Sequence, residues 1–223
     1  MSLFSNPFLD DKHQTGEPQR PEEQPAEVII SPDTRRANRI PPGQSRTRKW
    51  PVLDASGPPQ IDLANWRLEV FGLVEHPLSL SLPELLAWPQ VKVFSDFHCV
   101  TRWSRLGNLW EGVATRELAA RAQIKPEAQF VLAQAYDNGW TTNMPLEHFL
   151  AADALLTHTH DGQPISLEHG GPVRLLIPQL YAWKSAKWLR GIEFLSADQA
   201  GYWEQGGYHM LGDPWREQRF RWD

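Results

Sequence analysis

The apolar positions of this chain come in short alternating runs, and none is long enough to build an extended helix. Trp66, Leu68 and Val70 alternate, and the pattern predicts a strand over 66–74. The same spacing predicts strands over 91–97, 129–136, 154–160, 173–177 and 191–195. Between them lie only short helical patterns. Residues 82–88 carry Pro83 in the first turn and stop at Pro89. Residues 115–122 begin at Thr115, read as an N-cap, and 146–150 make a helical turn. Asp137-Asn138-Gly139 is a turn signal after the strand at 129–136. Short strands broken by short helices, without regular βαβ spacing, predict an α+β fold on a mixed sheet.

The N-terminal part has a different texture. Residues 1–30 are rich in Pro, Glu, Gln and Asp and read as a partly flexible arm or an extended strap. Residues 31–59 are also irregular, broken by Pro41-Pro42-Gly43 and Gly57-Pro58-Pro59, and the globular body is expected from about Ile61. A length of 223 residues fits one large domain or two small ones. The formal charge of −5 argues against a nucleic-acid surface. No N-terminal apolar run resembles an export signal or a membrane span, and Arg35-Arg36 is followed by polar residues and prolines. A cytoplasmic location is therefore expected. Eleven tryptophans are spread from Trp50 to Trp222 and are read as core material.

The single cysteine, Cys99, closes the alternating run at 91–97 just before a turn. It precludes an internal disulfide framework and suits a reducing compartment. A thiol at a strand end can pack as a small hydrophobe or serve as a soft metal ligand. His98, beside it, faces the opposite side of a strand and is a poor base for it. His169 is the more appealing distant partner, so a Cys–His hydrolase stays open. No Gly-x-Gly-x-x-Gly or P-loop signature is present, and no cysteine pair suggests zinc. His158 and His160 share one strand face and are read as surface or supporting histidines.

A second segment is richer. Gly170-Gly171-Pro172 bends the backbone, and Arg174 follows within the apolar strand Val173–Ile177. A buried arginine needs an anion, either a carboxylate of the chain or a bound ligand. Lys184-Ser185-Ala186-Lys187 adds two ammonium groups and a hydroxyl between Trp183 and Trp188. With Arg190 these residues form a local positive cluster suited to a phosphate.

These residues resemble the sulfite-oxidase-type molybdenum enzymes, and above all the small bacterial proteins built from the molybdenum–pterin domain alone. The likeness runs from about Asn38 to Trp215. It rests on Ile40-Pro41-Pro42-Gly43-Gln44, His98-Cys99-Val100-Thr101-Arg102-Trp103-Ser104, the run from Tyr136 to Asn143, the run from Glu168 to Arg174, and the run from Lys184 to Leu189. The resemblance implies an α+β, mixed-sheet molybdopterin-binding domain over 46–223, preceded by an extended, partly flexible arm over 1–45. It implies molybdenum and a pyranopterin monophosphate (molybdopterin) as cofactors, with Cys99 as the thiolate ligand. His169 and Arg174 would contact the pterin and its phosphate. Ser185, Ala186 and Lys187 would wrap the phosphate end, and Asp137 would hydrogen-bond the pterin. Asn38 and Arg39 match an Asn-His pair of the family, so the arm would close over the cofactor.

The resemblance also bears on chemistry. Sulfite-oxidising members carry consecutive arginines shortly after the ligand cysteine, where this chain has Trp103 and Ser104. The protein-methionine-sulfoxide reductases of the family also have Trp-Ser there. The expectation is oxygen-atom transfer with a small substrate, favouring reduction of an S-oxide or N-oxide over sulfite oxidation. Arg102 and Trp103 would shape the substrate site beside Cys99. An unidentified protein would donate or accept the electrons. A non-catalytic cofactor carrier is the remaining alternative.

Overall fold

The computed structural model describes residues 28–223. The described residues begin with two short strands, β1 (Val28–Ile30) and β2 (Ser45–Thr47). It continues through β3 (Arg67–Gly72), β4 (Leu78–Ser81), α1 (Leu82–Leu86), β5 (Val91–Cys99) and β6 (Trp103–Ala114). Next come α2 (Thr115–Ala122), β7 (Phe130–Ala135), β8 (Thr141–Pro145), α3 (Leu146–Phe149), β9 (Leu155–His160) and β10 (Gln163–Pro164). The last elements are β11 (Arg174–Leu176), β12 (Leu189–Leu195) and α4 (Tyr202–Gln205). The α+β expectation holds, with two mixed sheets in place of one.

The first sheet runs β1-β5-β6-β9-β10, with β2 added to β6 and β11 to β9. The second runs β4-β3-β12-β7-β8. Parallel pairs occur at β1/β5, β2/β6 and β3/β12, while the hairpin-like pairs are antiparallel. Leu68, Val70, Val131, Ala133, Ile192 and Phe194 of the second sheet pack with Val113, Leu156 and Leu175 of the first and Leu118 of α2. Burial of these side chains, at about 25 cal/mol per Å² of apolar surface, joins the sheets into one core. A smaller cluster of Val93, Phe97, Trp110, Leu155 and Leu176 lies deeper in the first sheet, with Trp50 and Trp103 packed on it.

Local chemistry sets the element ends. Ser81 and Glu84 form a capping box that starts α1, which ends at Leu86, short of the predicted Trp88. Thr115 is not an N-cap. It is the first residue of α2 after Ala114, and its hydroxyl donates to the carbonyl oxygens of Phe149 and Ala154. Strand β5 runs two residues past its predicted end and finishes on Cys99. The irregular N-terminal part is not loose where it is described: β1 pairs with Lys92–Phe94 and β2 with Trp103–Arg105. The rest of the predicted arm, residues 1–27, lies outside the described residues. No helix among the described residues is long and apolar enough to cross a membrane.

Candidate active site

The two sheets part at one edge, where β5 and β7 end and β11 and β12 begin. A cavity of about 250 Å³ opens there. Cys99 lines it from the end of β5, and Trp103 faces it from the start of β6. The two residues are direct cross-strand partners, so the antiparallel register itself seats the indole beside the thiol. Asp137 enters from the turn after β7, Arg174 from the start of β11, and Ser185 and Lys187 from the loop into β12. The rest of the wall is largely aromatic: Trp50, Trp140, Trp183, Trp188, Trp203 and Tyr208.

Burial raises the Cys99 thiol, and the Thr101 hydroxyl, 3.2 Å from the sulfur, opposes that rise. His98 lies on the other face of β5, fully buried, with Nδ1 2.8 Å from Ser104 Oγ. His169 stacks on Trp50 at 4.0 Å, and its two ring nitrogens engage Ser166 Oγ and the Trp50 carbonyl. Neither histidine hydrogen-bonds the thiol, so the Cys–His hydrolase reading loses its geometry. His160 packs against Trp50 and Trp110, and His158 bonds Gln90 and Thr159. Among the described residues no three His, Cys, Asp or Glu side chains converge as a metal cluster.

The positive cluster read from the sequence splits in two. Arg174 is 2% exposed and has no carboxylate partner among the described residues. Its guanidinium donates to the carbonyls of His169 (2.6 Å) and Ser185 (2.9 Å), and its buried Nε has no partner. Burial lowers its pKa, yet a guanidinium stays charged at neutral pH. Lys187 donates to the Glu168 carbonyl and sits 3.8 Å from Asp54. Burial first, and then the Arg174 charge, lower its pKa to about 8. Gly170 makes this approach possible, because a Cβ there would come within 2.7 Å of the Lys187 Cβ.

Lys184 does not belong to this group. It is fully buried and turned away, 2.6 Å from the Glu204 carboxylate, and also donates to Asn143 and the Met210 carbonyl. Arg190 is exposed and lies over the Tyr136 ring at 5.9 Å. Of this cluster, only Arg174 and Lys187 therefore bring positive charge to the cavity.

The other sequence-derived positions fall around it. Ser185 lines the cavity, but its hydroxyl accepts the Ile177 N–H at 2.9 Å. Ala186 is buried in the main core. Arg39 forms a two-pronged ion pair with Asp96, and the Asn38 side chain accepts from Ile40 N–H, so neither is among the lining residues. Arg102 is exposed, at φ +71°, and its guanidinium lies against Gly43.

Two parts of the site had no residues assigned from the sequence, although the irregular 31–59 stretch is one that must either be disordered or wrap the body and line a site. Residues 50–55 form a strap whose Trp50, Pro51, Leu53, Asp54 and Ala55 line the cavity. It is tied to the site through Asp54–Lys187, the Trp50 carbonyl on His169, and a 2.5 Å bond from Ser56 Oγ to Asp137. Tyr208 is the other. Burial and the nearby Cys99 sulfur raise its phenol pKa, so it stays protonated near neutrality.

This donor set fits a molybdenum–pterin. It offers a single soft thiolate, a buried guanidinium with an orphaned N–H, an ammonium beside it, and a carboxylate across the cavity. Comparison with known proteins agrees. The family model described as the oxidoreductase molybdopterin binding domain matches residues 55–203. The uncharacterized oxidoreductase YuiH of Bacillus subtilis is 49% identical over 188 residues, spanning 84% of this chain and 94% of that protein. The protein-methionine-sulfoxide reductase catalytic subunit MsrP of Campylobacter jejuni is 27% identical over 156 residues, 63% of this chain and 52% of that one. The sulfane dehydrogenase SoxCD of Paracoccus pantotrophus shares the fold, with a TM-score of 0.59 at 24% identity over 64% of this chain and 41% of that one.

The chain belongs to the oxidoreductase molybdopterin-binding family, of the sulfite-oxidase type. It is a molybdopterin-dependent enzyme of oxygen-atom transfer.

Proposed function

We propose that the cavity holds one molybdenum–pterin and that the enzyme reduces a neutral S-oxide or N-oxide. The observation that carries this reading is a cavity in which the only thiol, an anion-free buried arginine and an aromatic wall meet. Cys99 would ligate the metal. Arg174 and Lys187 would bind the phosphate, and His169, Asp137, Ser185 and Ala186 would frame the pterin. Asn38 and Arg39 would support the site from behind β5.

When bound, the group supplies a two-electron couple and a place for the transferred oxygen. The chain supplies the rest. Trp103, Trp140 and Trp203 wall the cavity with apolar surface that excludes water and suits a substrate with one polar oxygen. The protonated Tyr208 phenol can give a hydrogen bond or a proton to that oxygen. The overall reaction takes two electrons and two protons, giving the reduced substrate and water. Sulfite, a dianion at moderately alkaline pH, would need positive charge beside the metal. Trp103 stands there, and Arg102 lies against Gly43, outside the lining. The methionine-sulfoxide reductase relative supports the same direction.

A separate electron-donor protein would drive turnover, and the lone thiol suits a cytoplasmic enzyme. Protein made with ample molybdate should carry about one molybdenum per chain, since one cysteine ligand serves one such centre. Elemental analysis and pterin fluorescence measure this, and zinc in place of molybdenum would overturn it. With a reduced viologen dye the enzyme should reduce sulfoxides faster than it oxidises sulfite with an artificial acceptor. The reverse preference would overturn the proposed direction.

A further inference from the structure

Behind the cavity, on the far side of the Cys99 turn, the C-terminal segment inserts a second buried arginine. Arg219 is 4% exposed. Its guanidinium donates to the Val100 carbonyl at 2.8 Å and reaches the carbonyls of Pro42 (3.3 Å) and Gly43 (3.5 Å). Its Nε has no partner, and its charge lies 5.0 Å over the Tyr181 ring. The nearest carboxylate, Glu217, is half exposed and 3.7 Å away. Gln44 completes the clamp by donating to the Cys99 carbonyl at 3.0 Å. There is no room to spare: a Cβ on Gly43 would strike Glu217, Arg102 and Arg219.

A cation this buried, held mainly by carbonyl dipoles, is costly to keep. Its field falls on what lies across the turn. Arg219 holds the Val100 carbonyl and Gln44 the Cys99 carbonyl, so the charge stands at the residue that directly follows the sulfur-bearing one. A charge behind a metal ligand tunes that ligand's donor strength, as partners behind the ligating atom do in general. Across a poorly hydrated interior it acts with little screening.

We propose that Arg219 is a positioning residue for the Cys99 thiolate: it fixes the 99–102 turn, and its charge sets how strongly the sulfur donates to the metal. Glu217 moderates that charge from the solvent side. The inference rests on Cys99 being the metal ligand.

The test uses the molybdenum-loaded enzyme and three variants. In Arg219→Met the midpoint potential of the metal couple should move negative, because loss of positive charge favours the more oxidised metal. In Arg219→Lys, which keeps the charge and loses the fork, it should return most of the way to the wild-type value. In Glu217→Gln it should move positive, the opposite sense. Glu217 is half exposed, so this variant tests the idea even if Arg219→Met does not fold. A wild-type potential in Glu217→Gln overturns the charge role, as does a wild-type potential in a folded Arg219→Met. Cys99→Ser separates the two levels of inference. If its sulfur-to-metal absorption and potential match the wild type, Cys99 is not the ligand, and the failure lies in that reading and not in Arg219.

Discussion

Lys184 and Lys187 stand on one loop, three positions apart, and meet opposite fates. Lys184 turns into the second sheet, where Glu204, Asn143 and the Met210 carbonyl receive all that its ammonium can donate. Glu204 is in turn shared with Thr142 and Trp183. Lys187 turns to the cavity, 3.8 Å from Asp54 and beside an arginine that has no carboxylate partner among the described residues. A buried cation with a full set of acceptors belongs to the fold. Arg174, left with only carbonyls among the described residues, is free to take a bound anion.

The largest effect should come from breaking the finished pair. Lys184→Met strands the Glu204 carboxylate without a counter-charge and should cost about 3–5 kcal/mol. Chemical unfolding of the cofactor-free protein measures it, and the double variant Lys184→Met/Glu204→Leu should recover much of the loss. Arg174→Met, measured in the same way, should leave the cofactor-free protein as stable or more so. Equal destabilisation by the two single variants would erase the distinction.

The cavity side should fail in the complementary assay. Arg174→Ala or Lys187→Ala should each weaken cofactor retention by about 1.5–3 kcal/mol, the usual worth of a hydrogen bond to a charged group. Pterin and molybdenum content after extended dialysis reports this. Full content in both variants would place the phosphate elsewhere.

A smaller effect should appear with pH. The Lys187 pKa is lowered to about 8 by burial and by Arg174. Phosphate affinity of the cofactor-free protein should therefore fall as pH rises through about 8, where the ammonium is lost. Stability moves the other way. The folded pKa lies below the ordinary lysine value of 10.5, so the unfolded chain binds more protons between these limits. The cost of burying the charge is then relieved as pH rises from about 8. Lys187→Ala should flatten both trends, and isothermal titration with inorganic phosphate alongside unfolding curves would show it.

Much of the fold was legible because apolar alternation follows burial. Each predicted strand exists within a few residues of its expected place, as at β3, β7 and β9. What escaped were the short strands β1, β2, β4 and β10, only two to four residues long, and two longer strands whose inward positions are polar. In β6, Ser104 and Asn108 point inward to meet His98 and the Ser95 carbonyl, and Gly107 and Gly112 interrupt the pattern. In β8, Thr142 and Asn143 are buried against Glu204 and Lys184. A buried polar network satisfies hydrogen bonds without leaving a hydrophobic period.

The site was half legible for a related reason. Cys99, Arg174 and Lys187 stood out as chemistry against an apolar or small-residue background. Lys184 has the same composition around it as Lys187, and only the fold shows which way each turns. Trp50, Trp140 and Tyr208 were indistinguishable from core aromatics, because a ring that lines a cavity and a ring that fills one look alike in sequence.

The strap over the cavity has a consequence for how the molecule meets a protease. Two of its ties end on residues that line the cavity, Lys187 and Asp137, and a third on His169, which stacks on Trp50. The order of its far end, at Asp54 to Ser56, thus depends on the cavity being well formed, while Trp50 is also anchored on Phe97 and Trp110. A substitution that disturbs the site also frees a segment that carries Lys49, Val52 and Leu53 at its exposed surface. Loosened loops are what proteases cut first. Limited proteolysis at this segment is therefore a direct report on whether the site is formed.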